Sequence, residues 1–107
     1  MSIKNVTVAE LKRKLEANQP VRLVDCREQA EWDESHIQAA EFIPLSQFQE
    51  LYSKLEDQGA EIIMQCRSGR RSLEACQFLE EKGYKNLSNL EGGILDWIAA
   101  GYEVIGK

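Results

Sequence analysis

The sequence predicts an α/β fold, a central and mainly parallel sheet flanked by helices on both faces. Two short apolar, β-branched runs, VRLVDC (21–26) and EIIMQC (61–66), read as buried strands. Segments with helical periodicity, bounded by cap and stop residues, alternate with them. Strands alternating with helices require right-handed crossovers, and hence a parallel sheet covered on both sides. With 107 residues, no internal repeat and no Pro/Gly/Ser-rich linker, residues 1–107 are expected to form one domain.

The elements follow in order. Thr7 and Glu10 form a capping box at the head of a first helix. Val6 and Leu11 are spaced for its hydrophobic staple, Val8, Leu11 and Leu15 continue the apolar face, and Pro20 follows its end. After strand 21–26, EQAEWDES reads as a short helix and EFIP as a short strand stopped by Pro44. LSQFQELYSKLEDQG is expected to be a helix with Ser46 as N-cap, Gln49 in the capping-box position and Gly59 at or after its end. Beyond strand 61–66, Ala75, Cys76 and Leu79 share a face of a helix that Gly83 stops. NLSNL then makes a short strand. In GGILDWIAAG, Ile94, Trp97 and Ile98 fall on one side of a last helix, which Gly101 closes.

Thirteen Lys and Arg stand against 18 Asp and Glu, and the resulting charge of −5 argues against nucleic-acid or anionic-membrane binding. No apolar run approaches spanning length and the N-terminus lacks a signal-peptide stretch, so a cytoplasmic location is expected. Three cysteines make no disulfide framework, and one histidine with no C-x-x-C pair makes no zinc site, so no metal or bound cofactor is expected.

Against that acidic background, CRSGRRS (66–72) holds three of the six arginines behind one cysteine. Cys66 stands where a strand ends and a helix is about to begin, beyond the carboxyl end of the sheet where α/β proteins gather their chemistry. Backbone N–H groups of such a turn form an anion-binding nest, and the helix N-terminus adds partial positive charge. Arg67, Arg70 and Arg71 add full charges, Gly69 permits the tight turn, and Ser68 and Ser72 can bond to backbone or sulfur. All of this favours thiolate over thiol at Cys66. The device suits an anionic substrate open to attack by sulfur, through either sulfur transfer or a phosphocysteine. The plainer alternative is an anion-binding turn beside a free thiol.

The sequence resembles the single-domain rhodanese (thiosulfate sulfurtransferase) family over about residues 6–102. LVDCREQAEWDESHIQAAEFIPL is similar to the first family signature, CRSGRRS to the active-site loop, and NLEGGILDW to the C-terminal signature. Ala39, where glycine is common, and Cys26, where an aliphatic residue is commoner, depart from the pattern. The resemblance implies a cysteine, Cys66, that carries a transient persulfide, with Gly69 and Arg71 completing Cys-x-x-Gly-x-Arg and Arg67 helping to hold an anionic donor. Residues Arg67, Ser68, Gly69, Arg70, Arg71 and Ser72 are expected to bind the substrate, with Arg67 and Arg71 holding the anionic donor and leaving group and Arg70 either doing the same or facing solvent. Asp25 and Arg27 form the Asp-x-Arg that ends the first strand. They are expected to support the loop through a polar network rather than to react.

Related phosphatases of this architecture use Cys-x5-Arg, whereas position 72 here is serine and Arg71 closes a ring one residue tighter. The loop itself holds no acid to protonate a leaving alkoxide. The favoured reading is a sulfurtransferase that passes sulfur from thiosulfate or a persulfide to cyanide, a thiol or an acceptor protein. The alternatives are a non-catalytic binding or regulatory module and, behind it, a phosphatase or arsenate reductase. The expected partners are thus a small anionic sulfur donor and a thiol or sulfur-accepting protein, with oligomeric state open. His36, Cys76, Trp32, Trp97 and Phe78 are expected to be structural. Cys26 is expected to be a buried small hydrophobe, with a resolving role for Cys66 as its alternative. Residues 80–82 are read as a solvated helix face.

Overall fold

The computed structural model describes residues 3–55 and 59–106. In chain order its elements are β1 (Lys4–Val6), α1 (Val8–Glu16), β2 (Val21–Asp25), α2 (Gln29–Glu34), β3 (Ser35–His36), β4 (Ala40–Phe42), α3 (Phe48–Leu51), β5 (Glu61–Gln65), α4 (Arg70–Glu81), β6 (Leu87–Leu90), α5 (Gly93–Ala99) and β7 (Ile105–Gly106). Five strands form one sheet in the order β1-β6-β5-β2-β4, and each neighbouring pair in it is parallel. A separate antiparallel pair, β3 with β7, was not expected from sequence. Nor was β1, in which only Val6 is buried. No helix among the described residues is long and apolar enough to cross a membrane.

Side chains alternate across the sheet and divide the core in two. Val24, Ile62, Met64 and Leu87 face Phe48 of α3 and Ala75, Cys76 and Leu79 of α4. Leu23, Ile63 and Leu90 face Leu11 of α1 and Ile94 and Trp97 of α5. The expected capping box closes α1: the Thr7 hydroxyl accepts the Glu10 N–H at 3.1 Å and the Glu10 carboxylate accepts the Thr7 N–H at 2.9 Å. Val6 and Leu11 meet in the same cluster, as a staple requires.

Two expectations need correction. Residues 45–59 do not form one helix capped by Ser46. Ser46 lies inside a 3-10 turn, Leu45–Gln47, and α3 is a single short turn followed by a second 3-10 segment, Tyr52–Lys54. The Ser46 hydroxyl instead donates to Glu28 at 2.6 Å, a side-chain bond that replaces the cap. Gly59 takes a left-handed φ of 87° in the turn before β5, well past that helix, and positions 56–58 lie outside the described residues. Ile98 is not on the buried side of α5; it is 47% exposed, while Ile94 and Trp97 are buried.

His36 and Cys76 sit as structural residues. The His36 ring stacks on Trp32 at 3.6 Å, and its Nδ1 lies 3.0 Å from the Trp32 carbonyl. Cys76 is fully buried and donates to the Ser88 carbonyl. Phe78 packs edge-on against Phe48 and Tyr52. Trp97 joins the core and donates its Nε1–H to the Glu103 carbonyl. Glu81 and Lys82 are exposed and Glu80 is half-buried.

Candidate active site

The sheet register sets the site. β2 and β5 run side by side from Val21↔Glu61 to Asp25↔Gln65, so Cys26 and Cys66 leave the sheet as neighbours. The Cys26 N–H donates to the Gln65 carbonyl at 2.9 Å, and both thiols are buried. From Cys66 the chain turns through Arg67, Ser68 and Gly69 into α4. Gly69 adopts φ 109° as N-cap, a conformation that side chains rarely take. Arg70, Arg71 and Ser72 therefore belong to the first turn of α4 rather than to the loop.

The loop is held from behind by α5. The N–H groups of Ile94 and Leu95 donate to the carbonyls of Cys66 and Arg67 at 3.0 and 3.2 Å. This approach is possible because Gly93, at φ 59°, has no Cβ; one placed there would lie 2.4 Å from the Arg67 carbonyl oxygen and 2.5 Å from that of Cys66. With its carbonyls turned to α5, the loop presents N–H groups to the sulfur. The Gly69 N–H donates to Cys66 Sγ at 3.1 Å, and Ser72 Oγ lies 3.3 Å from it. Burial pushes the Cys66 thiol up. The backbone N–H groups of Ser72, Gly69 and Ser68 oppose this, as does the Ser72 hydroxyl when its proton is turned to the sulfur, and with that hydrogen bond the balance lies below the ordinary thiol value.

The charged residues divide. Arg67 and Arg70 are exposed. Arg71 makes a paired contact with Glu31 of α2, Nη1–Oε1 2.8 Å and Nη2–Oε2 2.9 Å, and remains within electrostatic reach of Cys66. The Arg71 guanidinium lowers the Glu31 carboxyl to about 2. Asp25 and Arg27 form a buried pair. Arg27 donates to both Asp25 carboxylate oxygens through Nε and Nη2 and, at 2.7 Å, to the Ser35 carbonyl. The pair braces the end of β2 against the start of β3.

The family model described as a rhodanese-like domain matches residues 7–100. The chain belongs to that family. It is 39% identical over 97 residues to "Putative sulfurtransferase YtwF" of Bacillus subtilis (strain 168), across 91% of this chain and 92% of that protein. It is 30% identical over 103 residues to a protein named "Sulfurtransferase" from Allochromatium vinosum, across 96% and 95%. The solved structure of a rhodanese-like domain protein from Staphylococcus aureus matches it with a TM-score of 0.86 at 30% identity, over 98% of this chain and 99% of that one.

Within the family pattern, this structure changes one expectation about ring size. The residue that meets the sulfur from α4 is Ser72, not Arg71. Ser72 stands at the sixth position after Cys66, where the Cys-x5-Arg phosphatases have arginine. The ring is thus closed by a neutral hydroxyl. Three contributors escaped the sequence reading. Glu31 lies 40 residues from Arg71, and Asn89 lies 17 from Ser72, whose hydroxyl donates to it at 2.5 Å. Gly93 was noted only as part of a signature, although its missing Cβ is what lets α5 dock.

Proposed function

We propose that this protein is a sulfurtransferase that carries a sulfane sulfur as a persulfide on Cys66. The observation that supports this most directly is the nest around Cys66 Sγ: a buried sulfur that accepts the Gly69 N–H, with a neutral hydroxyl rather than a guanidinium closing the ring. Such a site favours a thiolate and has room in its charge balance for one more sulfur anion. The buried cation at this end of the sheet, Arg27, is already paired with Asp25 and is not offered to a phosphoryl dianion. Glu31, the acid bonded to Arg71, stays ionised at neutral pH and cannot serve as proton donor to an alkoxide. The names carried by the two relatives fit the same chemistry.

The reaction has two displacements. The Cys66 thiolate attacks the outer sulfur of thiosulfate; the S–S bond of the donor breaks and sulfite leaves with its electron pair. The new terminal sulfur, as Cys66–S–S⁻, is next to the loop N–H groups. Cyanide, or a thiolate of a small molecule or acceptor protein, then attacks that terminal sulfur and the Cys66 thiolate departs. Arg67 and Arg70, exposed at the mouth, draw in the anionic donor. Arg71 acts chiefly by fixing α2 over the loop. In the thiosulfate:cyanide assay the wild type is expected to form thiocyanate and Cys66→Ala none. Equal thiocyanate from both would overturn the assignment.

A further inference from the structure

The Ser72 hydroxyl has one proton and two neighbours that compete for it. On one side is Cys66 Sγ at 3.3 Å; on the other is Asn89 Oδ1 at 2.5 Å. The orientation of the Asn89 amide is set independently. Its Nδ2 donates to the Gly69 carbonyl at 3.0 Å, and a carbonyl only accepts. Oδ1 must therefore face Ser72, and it has no hydrogen of its own. The proton between Ser72 and Asn89 can come only from Ser72, so in this arrangement the hydroxyl has none left for the sulfur. The contact between Cys66 and Ser72 is then made by the thiol, with S–H donating to Ser72 Oγ. The chain of donors runs from Cys66 S–H to Ser72 O–H to the Asn89 carbonyl, and from the Asn89 NH₂ back to Gly69, whose N–H donates to the sulfur.

We propose that Asn89 is a positioning residue that holds the single Ser72 proton away from Cys66, and so keeps the resting sulfur as a thiol more than the loop alone would. Ionisation of Cys66 removes the S–H donor. Ser72 can then turn its proton to the thiolate only by leaving Asn89 Oδ1, a side chain 6% exposed, without a donor. The backbone N–H groups favour the thiolate in either arrangement; the hydroxyl favours it only when it releases Asn89. β6 thereby sets the ease with which the nucleophile forms, from a position that never touches the sulfur. The proposal rests on Cys66 being the nucleophile, but its test needs no sulfur donor. A protein that fails to transfer sulfur still reports on Asn89.

The other groups around Cys66 are constant in the experiment: Arg71 with its partner Glu31 of α2, Cys26 beyond β2 with Asp25 and Arg27 beside it, and the exposed Arg67 and Arg70. Cys66 ionisation is followed by ultraviolet thiolate absorbance against a Cys66→Ser blank, and by the pH dependence of its iodoacetamide rate. Asn89→Leu removes the acceptor at similar size. It is expected to move the Cys66 midpoint down by about one pH unit, a tenfold change that corresponds to one ordinary hydrogen bond. In a Ser72→Ala background the same substitution is expected to lose that downward shift, because the shift passes through the hydroxyl, whereas the Nδ2 bond to the Gly69 carbonyl is removed equally in both backgrounds. If Asn89→Leu does not fold, Asn89→Ala is read in the same way. A midpoint that rises or stays put, or a drop that persists without the Ser72 hydroxyl, would overturn the proposal and make Asn89 a packing residue of the loop.

Discussion

At the scale of single residues, Glu31 and Arg71 show how one pair joins two distant segments. Glu31 Oε1 accepts the Glu28 N–H at the head of α2 and an Arg71 N–H from α4. Its carboxyl titrates near 2 against an ordinary 4.5. A depressed value means that the folded state binds the proton less readily than the unfolded chain. The stabilisation is thus full above pH 4.5 and drains as pH falls from there towards 2. Glu31→Gln is expected to flatten that part of the acid-unfolding curve, measured by urea midpoints at several pH values. An unchanged slope would remove Glu31 from the coupling. Neither the pair nor the Ser72–Asn89 bond was legible in the sequence. The partners are far apart along the chain, and nothing local to EQAEWDES or NLSNL signals a contact. Cys66, Gly69 and Ser72 were legible because a turn between strand and helix restricts what seven consecutive residues can do.

At the scale of elements, the active-site loop is shaped by α5 as much as by its own strand and helix. The first turn of α5 takes up the two loop carbonyls, and this turns the loop N–H groups toward the sulfur. Gly93 is the point of contact. Gly93→Ala would place a methyl group within 2.5 Å of two carbonyl oxygens and force alanine into a left-handed φ of 59°. A loss of about 2 kcal/mol or more is expected, from the left-handed penalty together with the displaced backbone. Urea unfolding should show it, with a rise in the Cys66 midpoint as the nest opens; wild-type values for both would contradict this account of the loop. The strong elements, α1 with its capping box and the apolar β2 and β5, were legible from local pattern alone. α3 was not, because the Ser46 hydroxyl finds Glu28 instead of a helix N–H. β1 was not, because Lys4 and Asn5 are exposed and only Val6 turns inward. The unexpected exposure of Ile98 reflects how far α5 is rolled onto the sheet, a tertiary fact that helical spacing does not contain.

At the scale of the whole molecule, the fold places three thiols in three electrical settings. All are buried, but only Cys66 meets a nest of donors. Burial pushes Cys26 far up, with the neighbouring Cys66 and Asp25 adding to it, and burial raises Cys76 to about 12. A parallel sheet with helices on both faces buries its strand residues but leaves the carboxyl ends open. Of the three, Cys66 alone combines an end-of-strand position with the N-terminus of α4. The selectivity between thiols is therefore a property of the architecture. The measurement that bears on it most directly is mass spectrometry of the intact protein and of its proteolytic peptides after incubation with thiosulfate, without reductant. One added sulfur is expected, located on the peptide containing Cys66 and absent from Cys66→Ser. No added sulfur, or sulfur on Cys26 or Cys76 instead, would contradict the central claim.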